Sequence, residues 1–187
     1  MIRDIESGAR SPRIDPGAYV DPSAQVIGEV TIGPASSVWP LTIVRGDQSW
    51  VRIGRNSNVQ DHSVVHVAPG LPCVIGDNVT IGHRAVVHGC TVMNNSRIGI
   101  GAIVLNGAVV EEGAQVGAGV LVPPGTVVPA GWLVMGVPAK PVRQMSQDEL
   151  DDILRNAVEY VELWQSNFGP RPASGVFRAP SASLEAP

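Results

Sequence analysis

With 187 residues and a net charge of −4, the chain is the size of one domain with an appendage, and its charge offers no electrostatic footprint for nucleic acid. The first ten residues contain no apolar run, and no stretch reaches the roughly 20 apolar residues of a membrane helix. We therefore expect no secretory signal, no membrane contact and a cytoplasmic protein. The 21 glycines and 16 prolines indicate many turns. We interpret residues 1–12 as an N-terminal extension.

Residues 13–137 repeat with a period of six. Twenty aliphatic residues follow this period, and a small residue or Val comes four positions after most of them. The aliphatic residues are Ile14, Val20, Val26, Ile32, Val38, Val44, Ile53, Val59, Val65, Ile75, Ile81, Val87, Val92, Ile98, Val104, Val110, Val116, Val122, Val128 and Val134. Such a period fits a short strand, a tight turn and a change of direction. Three strands complete a coil, and coils stack about 4.8 Å apart, which predicts a parallel β-helix.

Three irregularities interrupt the repeat. Three extra residues lie within 44–53, four extra residues lie within 65–75, and one residue is missing within 87–92. Insertions in a solenoid project on one side, which is often the functional side. The irregular part of the chain is therefore where we look for a site.

The repeat ends near Val134. GVPAKPVRQ, with two prolines, predicts an extended exit, and Ser146 with Glu149 forms a capping-box pattern before apolar residues at mostly helical spacing. We expect a linker and one amphipathic helix over residues 138–168, packed against the β-helix or a neighbouring subunit. The Pro-, Ala- and Ser-rich remainder, 169–187, predicts a disordered tail.

Four histidines lie in the irregular part of the repeat: His62, His66, His83 and His88. His66 follows Val65 and His88 follows Val87, and one full coil separates these two valines. The two histidines are therefore expected one above the other, about 5 Å apart at the backbone, where two imidazoles can share a metal ion. His62 falls at another register position, and we interpret it as a bystander.

His83 follows Ile81 by two residues, one strand earlier in the coil than His88, and so belongs to a different face. It is not expected to meet the other two histidines within one subunit, but it can meet them across the interface of a cyclic homotrimer. Three imidazoles with one open position are typical of a catalytic zinc site rather than a closed structural one.

The same register places three further polar residues. Arg45 lies one coil below His66, Asp61 lies one coil below His83, and Gln60 adjoins Asp61. Arg45 and Asp61 are expected to face each other across the metal-holding interface, either in catalysis or as a salt bridge that sets subunit registry. Gln60 is a neutral group able to hydrogen-bond a metal-bound water.

Three segments carry these residues in order: WPLTIVRGD at 39–47, NVQDHSVVHV at 58–67 and IGHRAVVHGC at 81–90. In combination, and with GVPAKPVR before a helix, they resemble the gamma-class carbonic anhydrases, in particular the bacterial branch with a short metal-site loop. The resemblance covers residues 13 to about 168. Resemblance to hexapeptide-repeat proteins also implies that the β-helix is left-handed.

The resemblance implies a metal site with three histidine ligands, one of them donated by a neighbouring chain. The ligands are His66, His88 and the neighbour's His83, and the surrounding motif residues are Arg45, Asp47, Gln60 and Asp61. Zinc is the usual metal, with iron or cobalt as alternatives. The implied reaction is the reversible hydration of carbon dioxide to bicarbonate by a metal-bound hydroxide, which Gln60 orients.

The sequence departs from the pattern of this family at three places. Gln48 replaces an acidic residue after Arg-Gly-Asp, and the loop VAPGLP at 67–72 has no carboxylate, whereas the archetype has a longer acidic loop implicated in proton transfer. His62 stands where the short-loop branch commonly has Gly. We therefore expect weak activity that is limited by proton export.

Three other functions stay open. A metal-dependent esterase or thioesterase uses the same activated water on another carbonyl. A non-catalytic scaffold subunit keeps the metal site without turnover. A hexapeptide acyltransferase needs a histidine base and a cleft for acyl-CoA, and the ligand-like spacing of the histidines argues against it.

Overall fold

Short strands and one helix make up the described part of the computed structural model, residues 1–5 and 8–169. The strands pair in parallel with the strands one coil above and below, apart from one antiparallel pair at the end of the stack. The coils form a prism with three faces, in which two long strands join the first and second faces into one sheet. This confirms the predicted parallel β-helix of hexapeptide repeats.

The strands are grouped by face and numbered in chain order. The first face holds β1 (Ile2–Arg3), the first halves of β4 (Gln25–Ile32) and β6 (Ile43–Ile53), β8 (Val64–His66), β11 (Val86–His88), β14 (Ile103–Val104) and β17 (Leu121–Val122). The second face holds β2 (Arg13–Ile14), the second halves of β4 and β6, β9 (Cys73–Ile75), β12 (Thr91–Val92), β15 (Val109–Val110) and β18 (Val127–Val128). The third face holds β3 (Tyr19–Val20), β5 (Ser37–Val38), β7 (Asn58–Val59), β10 (Thr80–Ile81), β13 (Arg97–Ile98), β16 (Gln115–Val116), β19 (Trp132–Met135) and β20 (Lys140–Gln144).

The aliphatic residues of the six-residue period fill the inside of the prism. From Val26 to Val134 every one of them is 2% exposed or less, and Ile14 and Val20 at the lower end are partly buried against them. β-Branched side chains suit this position because their stiff χ1 angles pack closely on a pleated strand. The period read from the sequence is therefore the period of the core.

Buried serines tie neighbouring coils together at the corners. Ser57 Oγ donates to the carbonyl of Gly76, at 2.8 Å, and accepts from the N–H of Val79, at 2.9 Å. Ser63 makes the equivalent two bonds to the next coil. These hydroxyls satisfy backbone groups that a corner leaves without a strand partner.

The irregularities in the repeat take three different forms. The three extra residues lie inside β6, whose register against β4 shifts between Gly28 and Val30, so this insertion is a bulge and not the expected projecting loop. The four extra residues form a tight turn, with backbone hydrogen bonds of 3.1 and 2.9 Å between Ala68 and Leu71. At the missing residue the chain turns through Gly89, whose φ is +53°.

The chain leaves the prism as an antiparallel strand, not as a free linker, because β20 pairs with β19. Helix α1 (Gln147–Phe168) then begins with the predicted capping box, in which Ser146 and Glu149 bond each other's backbone N–H groups. Among the described residues, no helix combines the length and apolar character needed to cross a membrane. The expected tail lies outside the described residues beyond Gly169.

Helix α1 packs on the third face of the prism. Arg97 on that face donates to the carboxylate of Asp152 on the helix, at 2.9 Å, and Thr80 donates to Asn156, at 3.2 Å. At the lower end, Trp164 stacks on Tyr19, with ring centroids 6.0 Å apart. The helix therefore covers the third face and leaves the first face open in this chain.

Replacing Ser57 by Ala is expected to lower the free energy of unfolding by about 1–3 kcal/mol, because the buried N–H of Val79 loses its acceptor. Equilibrium unfolding in urea measures the change. Ser166→Ala, at an exposed position of α1, is the matched control and should change stability by less than about 0.5 kcal/mol. A Ser57→Ala protein as stable as the wild type would contradict the role of this hydroxyl.

Candidate metal centre

Two histidines stack on the first face as the repeat register predicts. His66 in β8 and His88 in β11 are paired residues of adjacent parallel strands. Their rings lie with centroids 4.9 Å apart and planes inclined by 64°, and His66 Nδ1 faces His88 Nε2 at 3.0 Å. One nitrogen from each ring therefore points into the same space.

The outward nitrogens of both rings contact oxygen atoms. His66 Nε2 lies 2.9 Å from Asp47 Oδ1, and His88 Nδ1 lies 2.5 Å from Asn106 Oδ1. A carboxylate and an amide oxygen only accept hydrogen bonds, so each of these contacts needs an N–H on the ring. A neutral imidazole has a single N–H, which leaves the two inward nitrogens bare. Two lone pairs that face each other at this distance need a positive charge between them, which a shared proton or a metal ion can supply.

The donor set fits a divalent metal ion. Two nitrogens bound to one tetrahedral zinc ion, each about 2.0–2.1 Å away, lie roughly 3.3 Å from each other. The separation between His66 Nδ1 and His88 Nε2 is 3.0 Å, close to that value. Ligating histidines usually donate their other N–H to a carboxylate or carbonyl oxygen, which is the arrangement around both rings.

Asp47 lies between Arg45 and His66. Arg45 is the residue one coil below His66, and its guanidinium forms an ion pair with the Asp47 carboxylate that also contacts His66. Burial raises the pKa of Asp47, but the hydrogen bond with His66 and the charge of Arg45 outweigh burial and hold that pKa below its ordinary value. Asp47 is therefore an anion that can orient the His66 ring.

His83 lies at the opposite end of the first face, in the turn before β11. Its Nδ1 is 2.9 Å from Asp61 Oδ2, one coil below, and its side chain is 41% exposed. A turn, with a φ of +59° at Arg84, and then strand β11 separate it from His88. Within the described residues, no group of three His, Cys, Asp or Glu side chains is placed to hold a metal in a single chain.

Gln60 is held at the His83 end of the face. Its side chain is buried, its Oε1 accepts from the backbone N–H of His83 at 3.2 Å, and its Nε2 donates to Asn58 Oδ1 at 3.0 Å. Asn58 in turn donates to Thr80 Oγ1 at 3.0 Å. Because both ends of the Gln60 amide are engaged, its orientation is set by Asn58 in the same coil and by His83 in the next.

A cavity of about 340 Å³ opens beside Gln60 and His83, and Tyr160 of helix α1 lines its other side. Burial, followed by the negative charge of Asp61, raises the pKa of Tyr160. A larger cavity of about 670 Å³ lies at the lower end of the prism beside Phe168, away from the histidines. The smaller cavity is the one connected with the candidate site.

Sequence reasoning did not predict Asn58, Asn106 or Tyr160 as parts of this region. The repeat register could have indicated Asn106, because it lies one coil above Gly89, the neighbour of His88. His62 is exposed and lies in a corner of the prism, with a φ of +59°.

Known relatives agree with the motifs. No protein-family model matches the chain. A probable carbonic anhydrase of Methanocaldococcus jannaschii is 52% identical over 140 residues, which is 75% of this chain and 88% of the relative. Gamma carbonic anhydrase 2 from mitochondria of Arabidopsis thaliana is 44% identical over 83% of this chain. The chain belongs to the gamma carbonic anhydrase family.

Family membership confirms the resemblance read from the motifs, and the predicted class, a carbonic anhydrase-like lyase, agrees with the relatives' names. The chain spans 58% and 60% of the length of two Arabidopsis gamma carbonic anhydrases. Among solved structures, a hexapeptide transferase family protein from Anaplasma phagocytophilum superposes with a TM-score of 0.83 at 39% identity, covering 86% of this chain and 95% of that one.

Proposed function

We propose that this gamma carbonic anhydrase family member catalyses the reversible hydration of carbon dioxide to bicarbonate at metal sites shared between the subunits of a homotrimer. The observation that carries the proposal is the approach of two inward-facing nitrogens, His66 Nδ1 and His88 Nε2, 3.0 Å apart. They lie at one end of the first face and His83 lies at the other, so residues 1–5 and 8–169 of a single chain do not complete a ligand set.

An uncovered apolar column supports assembly through the first face. The outward residues of its strands are Ile43, Val64, Val86, Ile103 and Leu121, stacked in register. Ile43 and Ile103 are each 37% exposed, although they are large and apolar. On the third face, the outward residues Thr80 and Arg97 are polar and bond to helix α1. The first face therefore suits burial against another subunit better than the third face does.

The proposed ligands are His66 and His88 of one chain and His83 of its neighbour, which bind zinc, or iron or cobalt in its place. When bound, the metal ion supplies Lewis-acid activation of water for attack on carbon dioxide. His83 suits the bridging role because its side chain is accessible, and Asp61 fixes its ring through Nδ1. That contact leaves His83 Nε2 to complete the ligand set.

The chain's own polar residues would position the reactants. Gln60, held by Asn58 and by the backbone of His83, presents its amide beside the third ligand and can hydrogen-bond the attacking water. Arg45 and Asp61 are both partly exposed, at 39% and 33% of their side chains, and carry opposite charges. Across the proposed interface they would meet, extending the Arg45–Asp47 ion pair and fixing the registry of the subunits.

The short loop offers no side chain that could carry a proton away from the site. The loop Val67–Pro72 is a tight turn closed by backbone hydrogen bonds between Ala68 and Leu71, and it holds no ionisable side chain. A proton released at the site must therefore leave by another group or by buffer. This supports weak turnover that depends on buffer.

An acyltransferase is the second candidate, because the solved structure from Anaplasma phagocytophilum is described as a hexapeptide transferase family protein. The inward nitrogens of His66 and His88 face each other at 3.0 Å, an arrangement that suits two ligands of one metal ion better than a single general base. An esterase would use the same metal centre, and a scaffold subunit would keep it without turnover. A rise in thermal stability on adding acetyl-CoA would favour the acyltransferase.

The protein purified without chelators is expected to contain about one divalent metal ion per chain, because each trimer interface completes one ligand set. Elemental analysis measures the content. His88→Ala should retain well under half of the wild-type metal, whereas His62→Asn, at the exposed corner, should retain all of it. Equal metal loss in both variants, or none in His88→Ala, would contradict the ligand assignment.

Metal-loaded protein should hydrate carbon dioxide, measured by stopped flow with a pH indicator, and His88→Ala should reduce the rate at least about 100-fold. Added imidazole should raise the wild-type rate, because the buffer carries the proton that VAPGLP cannot carry. A rate independent of buffer concentration would show that proton export does not limit turnover. Absence of hydration by fully loaded protein would reject the proposed reaction.

Mixing two inactive variants tests the shared site. His66→Ala and His83→Ala should each be inactive, but unfolding and reassembling an equal mixture should restore roughly one-quarter of the sites, counted over randomly mixed cyclic trimers. In a restored site, a His83→Ala chain provides His66 and His88. The neighbouring His66→Ala chain provides His83. If each chain held its own metal, mixing would restore neither metal content nor activity.

A further inference from the structure

Asn106 lies directly above the turn that follows β11. Its backbone is fixed, because its carbonyl accepts from the N–H of Gly125 at 2.9 Å while the neighbouring Leu105 N–H donates to Val122. From this position its side chain reaches down to His88, and Oδ1 lies 2.5 Å from Nδ1. A residue from the next coil thus contacts the ring of a proposed ligand.

The approach of Asn106 depends on Gly89. A Cβ atom added at Gly89 would lie 3.1 Å from Asn106 Oδ1, closer than ordinary contact, and the φ of +53° at Gly89 is one that L side chains rarely adopt. The repeat is therefore one residue short at Gly89, where the lack of a side chain leaves space for Asn106 to contact His88.

The contact selects one form of the His88 ring. An amide oxygen accepts but cannot donate, so the hydrogen bond requires the proton on Nδ1 and leaves Nε2 bare. Nε2 is the atom that faces His66. The opposite form, with its proton on Nε2, would direct an N–H at the place where a metal ion must sit.

We propose that Asn106 is a positioning residue of the metal centre, which holds the His88 ring with Nε2 directed at the metal. This inference rests on the proposed metal centre. Asn106 orients the His88 ring as Asp47 orients the His66 ring. The two ligands differ in that Asp47 is an anion and Asn106 is neutral. Groups that orient a ligating histidine typically contribute about 10–100-fold to metal affinity.

Zinc affinity tests the inference without depending on turnover. The dissociation constant is measured by competition with a chromophoric chelator for the wild-type protein, Asn106→Leu, Asn106→Ala and Asn106→Asp. Asn106→Leu and Asn106→Ala should weaken zinc binding about 10–100-fold. Asn106→Asp keeps an acceptor at the same place and should restore most of the affinity, as the carboxylate of Asp47 serves His66. Asn94→Leu, at a corner away from the histidines, is the matched control and should leave zinc affinity unchanged.

Each result decides the inference. Equal zinc affinity in the wild type, Asn106→Leu and Asn106→Ala would overturn it, as would an Asn106→Asp variant as weak as Asn106→Leu. Circular dichroism identifies folded variants, and if Asn106→Leu is unfolded the comparison of Asn106→Ala with Asn106→Asp decides. A wild-type protein that binds no zinc would overturn both the metal centre and the inference. The expected affinities in a protein without carbon dioxide hydration would support the inference and reject only the proposed reaction.

Discussion

Parallel hydrogen bonding between successive coils is the constraint on which the rest of the molecule depends. Each residue is held above its counterpart in the coil below, and the buried aliphatic column prevents a slip of one position, which would turn core residues outward. Ile103 and Leu121 are paired at a spacing of 18 residues, whereas His66 and His88 are paired at 22. The turn at residues 67–72 accommodates the difference, so Arg45, His66 and His88 are positioned by strands and not by loops.

The parts of the structure that repeat main-chain geometry could be predicted from the sequence. The aliphatic period identifies the core, and counting hexads places Arg45, His66 and His88 in one column, as the strand pairings confirm. The capping-box residues likewise predict where helix α1 begins. These predictions succeed because hydrogen bonding between backbones permits few alternatives, and the pattern of burial selects among them.

Other features of the fold and the site could not be predicted from the sequence. They depend on side-chain conformation or on chain direction, and the hydrophobic period carries no information about either. The contact of Asn106 with His88 requires a particular rotamer of a residue in the next coil, together with the space left by Gly89. The support of Gln60 by Asn58 likewise runs between side chains. The bulge inside β6 and the antiparallel return of β20 were not predicted, because residues that interrupt a repeat carry no signal for how they are accommodated.

Helix α1 joins the two ends of the prism. The backbone N–H of Met145, just before the helix, bonds to Gly131 in the last coil, and near its other end Trp164 bonds to the carbonyl of Ala35 and stacks on Tyr19 in the first coils. Its 22 residues span about 33 Å, close to the roughly 29 Å of seven stacked strands. Stacked-repeat proteins ordinarily fray from their terminal repeats, because each repeat contacts only its neighbours. Because helix α1 bonds the first coils to the last, we expect the two ends to melt together, so that this solenoid unfolds as a single cooperative unit.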